Sequence, residues 1–204
     1  MPQRLNCKPY LQTLAEIARR GDAREESFYP ALSALLTAAA QAAGRTDTHV
    51  TTLPRPTDAG NPDFRIWNGV DRIIGYIEAK KPTEEHLDLI EGSEQLCRYR
   101  ATFPNLILTN FLEFRLYRDG QRVESALLGR PVVLNQLRMV PPAENAGALA
   151  GLLDRFLDFS LPRTFSAESL AVELAGRTRF LRDIVARQLA EERDAPGPLT
   201  GFFE

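Results

Sequence analysis

Asp63, Glu78 and Lys80 are the residues of this chain whose types and spacing could do chemistry. They stand in two short runs, Gly60-Asn61-Pro62-Asp63-Phe64-Arg65-Ile66-Trp67 and Arg72-Ile73-Ile74-Gly75-Tyr76-Ile77-Glu78-Ala79-Lys80, joined across Asn68-Gly69. Asn-Gly between stretches rich in β-branched and aromatic residues predicts a β-hairpin, with Val70 and Asp71 lengthening its loop. Asp63 then opens one strand while Glu78 and Lys80 close its antiparallel neighbour, so strand start and strand end lie side by side. Alternation puts Glu78 and Lys80 on one face and Ala79 on the other. Two carboxylates a few ångströms apart repel and desolvate badly unless a divalent cation lies between them, so the placement predicts a Mg²⁺ site for metal-assisted hydrolysis. As bare spacing, Glu-x-Lys is common, and its ordinary meaning is a solvated strand end. Context raises it: these charges terminate an apolar strand pair, where charge is costly without a partner.

The elements that must position these residues follow from periodicity and caps. Residues 9–20 predict a helix that ends at Gly21, and about 23–43 a longer one that stops at Gly44. The longer helix has an apolar stripe of Phe28, Leu32, Leu35, Leu36 and Ala39. Helical spacing puts Glu25 on that stripe, whereas Glu26 falls with Tyr29, Ser33 and Thr37 on a wetter side. Glu25 therefore either faces the sheet or is a first-turn acid favoured by the helix dipole, a role that suits both glutamates. Residues 48–53 predict a first strand, and the proline-rich segment 54–62 a loop. After the hairpin, Pro82-Thr83-Glu84-Glu85 predicts the start of a helix to about residue 101, with Thr83 as cap and Gln95 and Tyr99 on one face. Residues 105–110 predict a buried strand, and 113–117 and 122–127 a hairpin turning at Asp119-Gly120. Beyond Pro141-Pro142, residues 143–159 and 167–192 predict helices, the last capped by Ser166 with Glu168 in its first turn. Its apolar positions Leu170, Leu174, Leu181, Ile184, Val185 and Leu189 need a partner surface.

Composition bounds the class. The 204 residues, 44% hydrophobic and 25% charged, support one sizeable domain and an appendage. No apolar run approaches transmembrane length, and the start Met-Pro-Gln-Arg-Leu-Asn lacks a signal peptide's apolar core, so a cytoplasmic location is expected. Cys7 and Cys97 predict reduced thiols, and with only His49 and His86 there is no zinc-ligand set. The net charge of −2 weighs against tight autonomous binding of nucleic acid, although Lys80, Lys81, Arg98, Arg100, Arg115 and Arg118 supply local cations near the site or else solubilise the surface. The apolar ending Leu199-Thr200-Gly201-Phe202-Phe203 suggests a chain that continues.

Over about residues 23–118, the order helix, strand, Pro-Asp strand, Glu-x-Lys strand, helix, strand resembles the PD-(D/E)xK nuclease superfamily. More narrowly, Glu25-Glu26-Ser27-Phe28-Tyr29-Pro30-Ala31-Leu32, Gly60-Asn61-Pro62-Asp63-Phe64, Gly75-Tyr76-Ile77-Glu78-Ala79-Lys80, Ser93-Glu94-Gln95-Leu96 with Tyr99, and Asn105-Leu106-Ile107-Leu108-Thr109 resemble the amino-terminal endonuclease region of single-chain, type IIG restriction-modification enzymes. The resemblance implies an α/β, restriction-endonuclease-like core, a mixed central sheet flanked by helices, over residues 1–140. Residues 141–204 would be a helical extension or a linker toward a downstream DNA adenine methyltransferase and target-recognition regions. It implies Asp63, Glu78 and the Ala79 carbonyl as metal ligands, Lys80 as the catalytic lysine, Glu25 as the helix acid completing the site, and Gln95 as its support. Tyr99, Lys81 and Arg98 would support the site or contact DNA. The implied cofactor is Mg²⁺, with Mn²⁺ as substitute; the implied substrate is duplex DNA, with dimerisation on it. Two alternatives are a free-standing repair or junction nuclease and a catalytically silent DNA-binding or assembly domain of the same fold.

Overall fold

Six segments of β-forming residues build one sheet in a computed structural model, which describes residues 5–70, 72–160, 167–192 and 197. The strands, β1 (His49–Thr52), β2 (Phe64–Trp67), β3 (Ile73–Ala79), β4 (Asn105–Thr109), β5 (Glu113–Arg118) and β6 (Gln121–Leu127), lie in sequence order across it. Only β3 and β4 are parallel; every other neighbouring pair is antiparallel. Parallel pairing needs a crossover, and two helices supply it, α3 (Leu87–Glu91) and α4 (Glu94–Thr102). The β2–β3 hairpin forms as predicted, with Phe64 opposite Ile77 and the Asn68 Oδ1 accepting the Val70 and Arg72 amides at 3.2 and 2.8 Å. Asp71 lies outside the described residues.

Alternation along the strands feeds two cores. On one face Phe64, Ile66, Ile77, Ile107, Phe114 and Leu116 pack with the helices α1 (Lys8–Arg20), α2 (Tyr29–Ala42), α5 (Pro131–Asn135) and α6 (Ala146–Leu157). On the other, Leu106, Leu108 and Tyr117 pack with Leu87, Leu96, Tyr99 and Phe103 of the crossover. Among the described residues, no helix is long and apolar enough to cross a membrane. Cys7 and Cys97 are free thiols.

Several expectations need correction. The helix expected over 23–43 is a 3₁₀ turn, Glu25–Phe28, followed by α2. Pro30 has no N–H to give a preceding turn, so the α-helix begins beside it at Tyr29. The helix expected from Thr83 to residue 101 breaks at Gly92-Ser93, and the cap is Ser93, whose hydroxyl accepts the Leu96 amide at 3.3 Å. α5 lies in a stretch for which the sequence pattern predicts no element.

The first compact unit of the structure runs to Phe159. The reason is α6, whose Leu149, Leu152, Leu153 and Phe156 have no exposed surface. Asn105, inside β4, donates to the carbonyls of Ile74 and Phe156 at 2.7 and 3.0 Å. Gly75 makes this approach possible: a Cβ there would sit 2.7 Å from the Phe156 ring. The second unit, residues 160–204, holds α7 (Ala167–Glu191), with Leu174, Leu181, Ile184 and Leu189 exposed and Val185 half-buried. The Ser166 cap, the side chains of Glu168 and Leu170, and the run Leu199 to Phe203 lie outside the described residues.

Candidate active site

The hairpin register, continued one step past Phe64 and Ile77, brings Asp63 level with Glu78. The Ala79 amide donates to Asp63 Oδ2 at 2.7 Å, and the Leu53 amide to the Asp63 carbonyl at 2.7 Å. On the far side of β3, the Lys80 amide donates to the Thr109 carbonyl at 2.7 Å, so three strands fix the motif. Glu78 is only 2% exposed, and its Oε1 accepts from Lys80 Nζ at 2.6 Å. Glu78 Oε2 is buried with no hydrogen-bond partner. Burial and then the Asp63 charge push the Glu78 carboxyl up to about 7, against the opposing pull of Lys80. Burial draws the Lys80 ammonium down, but Glu78, Glu25 and Asp63 outweigh it and hold its pKa above the ordinary value.

The flanking helices complete the arrangement. Lys80 Nζ reaches Gln95 Oε1 at 3.4 Å, and Gln95 Nε2 donates to the Tyr99 hydroxyl at 3.3 Å. Tyr99 is 1% exposed, a supporting place with almost no surface for direct contact. Arg98 also supports: its Nε donates to the Ala59 carbonyl at 2.6 Å and steadies the loop that leads into Asp63. That loop needs Gly60, whose φ is +123° and whose missing Cβ would lie 3.3 Å from the Tyr99 ring. The Lys81 side chain is exposed at the rim. The other arginines are spent on structure. Arg115 is buried among Glu113, Asp88 and Glu91 at 2.6, 2.7 and 2.8 Å; Arg100 donates twice to the Gly120 carbonyl; and Arg118 lies over the Phe159 ring.

Of the two adjacent glutamates, Glu25 faces the site and Glu26 is exposed. Burial raises the Glu25 carboxyl above its ordinary range, eased by Lys80 and opposed by Asp63. One expectation fails here, because Tyr29 is on the core side rather than the wetter one. It is 3% exposed, and its hydroxyl donates to Asp63 Oδ1 at 2.6 Å and lies 3.3 Å from Glu25 Oε1. The missed signal was the spacing Glu25-x-x-x-Tyr29, which stacks the two side chains on one helical edge.

Whether these residues fit a Mg²⁺ ion is decided by the donor set. Glu78 Oε2 has no hydrogen-bond partner and the buried Asp63 carboxylate acts on the same side chain, a hard oxygen environment of the kind Mg²⁺ takes, and Mg²⁺ needs few protein ligands because it keeps its waters. Glu25 lies beside Tyr29, Lys80 and Asp63, and among the described residues no group of three or more Asp, Glu, His or Cys side chains is placed to enclose a cation alone. Two carboxylates completed by backbone and water therefore fit.

No family model matches the chain, and no curated protein matches it. Among solved structures, it is similar to the electron cryo-microscopy structure of a DrdV-DNA complex, with a TM-score of 0.54 and 24% identity over 74% of this chain. The chain spans 13% of the chain it matches there. At that identity the likeness speaks for the fold, and the mixed six-stranded sheet with its flanking helices is that of a restriction-endonuclease-like domain.

Proposed function

We propose that this domain is a Mg²⁺-dependent DNA endonuclease module that hydrolyses phosphodiester bonds in duplex DNA, within a restriction-modification enzyme of the type II class. The observation that carries it is the pairing of buried Asp63 and Glu78, with the partnerless Glu78 Oε2 beside Lys80. Asp63 and Glu78, with the Ala79 carbonyl, would hold the ion. When bound, Mg²⁺ supplies Lewis-acid activation of the scissile phosphate and of a water. Lys80, held by Glu78 and Gln95, presents an ammonium that orients the attacking water or neutralises charge developing on the phosphate. Gln95 and Tyr99 keep that ammonium in place, and exposed Lys81 is available to a neighbouring phosphate.

The net charge of −2, and the commitment of Arg100, Arg115 and Arg118 to internal contacts, support a module to which DNA is delivered by other regions. A methyltransferase and target-recognition region in the same polypeptide would do so, in keeping with the small share of the matched chain that this domain spans. Mn²⁺ is expected to substitute for Mg²⁺, and dimerisation on DNA would let both strands be cut.

Asp63→Ala and Lys80→Ala each are expected to lower cleavage of plasmid DNA by about a hundred- to a thousand-fold, the scale of losing one preorganised charge or metal ligand. Circular dichroism should show both still folded. Retained cleavage by both variants overturns the proposal. No cleavage by the unmodified protein with Mg²⁺, joined to binding of DNA, leaves the catalytically silent DNA-binding domain in its place.

A further inference from the structure

Tyr29 has no part in the chemistry above, yet its hydroxyl lies within hydrogen-bond distance of two of the three acidic residues, Asp63 and Glu25. The ring is clamped: it stacks on Phe111 and packs tilted against Phe64, with centroids 6.4 and 4.9 Å away. Phe111 is itself held in a left-handed backbone conformation, φ +70°, its carbonyl accepting from the Tyr10 hydroxyl at 2.7 Å and its amide bound to Thr109 Oγ1 at 2.9 Å. A rigid ring delivers its oxygen to a fixed point. That point is 2.6 Å from Asp63 Oδ1, while the Ala79 amide takes Oδ2 at 2.7 Å. Each Asp63 oxygen thus has one short donor, from a different element, and the carboxylate cannot turn without breaking one of them. The phenol has a single proton, so the short contact to Asp63 takes it and Glu25, at 3.3 Å, is held beside the oxygen rather than bonded equally.

We propose that Tyr29 is a positioning residue that fixes the plane of the Asp63 carboxylate before any cation arrives. The inference rests on the metal-site reading of Asp63 and Glu78. It assigns Tyr29 to the affinity for metal rather than to the chemical step, since the hydroxyl touches ligands and not the reacting atoms.

The test is Tyr29→Phe in the full chain, which keeps the ring between Phe64 and Phe111 and removes only the hydroxyl. MnCl₂ is titrated calorimetrically into both proteins without DNA, and DNA cleavage is measured against MgCl₂ concentration. The expected result is a Kd for Mn²⁺ weakened about ten-fold and a half-saturating Mg²⁺ raised by about the same factor, with kcat at saturating Mg²⁺ within about three-fold of the original. An unchanged Mn²⁺ isotherm overturns the inference, as does a fall in kcat at unchanged half-saturation. So does a Tyr29→Phe protein that loses its fold, because the hydroxyl would then be acting through the core. Unmodified protein that takes up no Mn²⁺ sinks the metal-site reading along with the inference, whereas uptake by the unmodified protein with an identical variant isotherm sinks the inference alone.

Discussion

A carboxyl that is 2% exposed and faces a second carboxylate resists ionisation, and Glu78 is raised to about 7 for that reason. The folded protein therefore holds a proton there that the unfolded chain has released above the ordinary glutamate range. Its contribution to stability is fully present at acid pH and is lost as pH rises from about 4.5 towards 7, a loss on the order of 3 kcal/mol at most. We predict that metal-free protein loses thermal stability between pH 5 and pH 8 relative to Glu78→Gln, and that Mn²⁺ restores it at the upper end by taking the proton's place. Thermal midpoints of the two proteins across that range check this, and parallel curves would count against it. Asp63, Glu78 and Lys80 were legible as a set because a hairpin is local. Tyr29 was not, because its helical neighbours Ser33 and Thr37 lie on a wetter edge of α2, and it is the packing of Phe64 and Phe111 around the helix start that buries the ring.

At the scale of elements, each group is placed by a start or a stop. Pro30 sets where α2 begins, and the preceding turn carries Glu25 to the site. Ser93 sets where α4 begins, and its first two turns carry Gln95 to Lys80 and Tyr99 to Gln95. Removing that cap by Ser93→Ala is expected to cost about 1 kcal/mol in urea denaturation, with a loss of cleavage larger than that destabilisation alone produces. Stability lost without any further fall in the cleavage rate of the folded protein would mean that α4 holds its place without the cap. The acids after Pro82 imitate a helix start well enough to hide this break, since Thr83 and Glu84-Glu85 satisfy the same local rules that Ser93 and Glu94 do. The long-range packing of Leu87, Leu96 and Tyr99 under the sheet chose between them.

The whole first unit is one double-faced sheet, and α6 closes its larger core. A chain ended after Ser160 is expected to unfold cooperatively and to keep its Mn²⁺ uptake. One ended after residue 140 should not fold, because it loses Leu149, Leu152, Leu153 and Phe156, each worth about 2–5 kcal/mol against a total of about 5–15. Circular dichroism and urea titration of the two truncations decide it; cooperative folding of the shorter chain would count against α6 as part of the core. The sequence alone determined the hairpin, its acidic and basic ends and the order of strands, because turn chemistry and period-two alternation act between residues close in the chain. Only the tertiary structure decided that Tyr29 joins the site, that Arg100, Arg115 and Arg118 serve the scaffold, and that α6 belongs to the core. Those outcomes depend on which faces meet across tens of residues, where burial and hydrogen-bond partners are set by neighbours that no local pattern names.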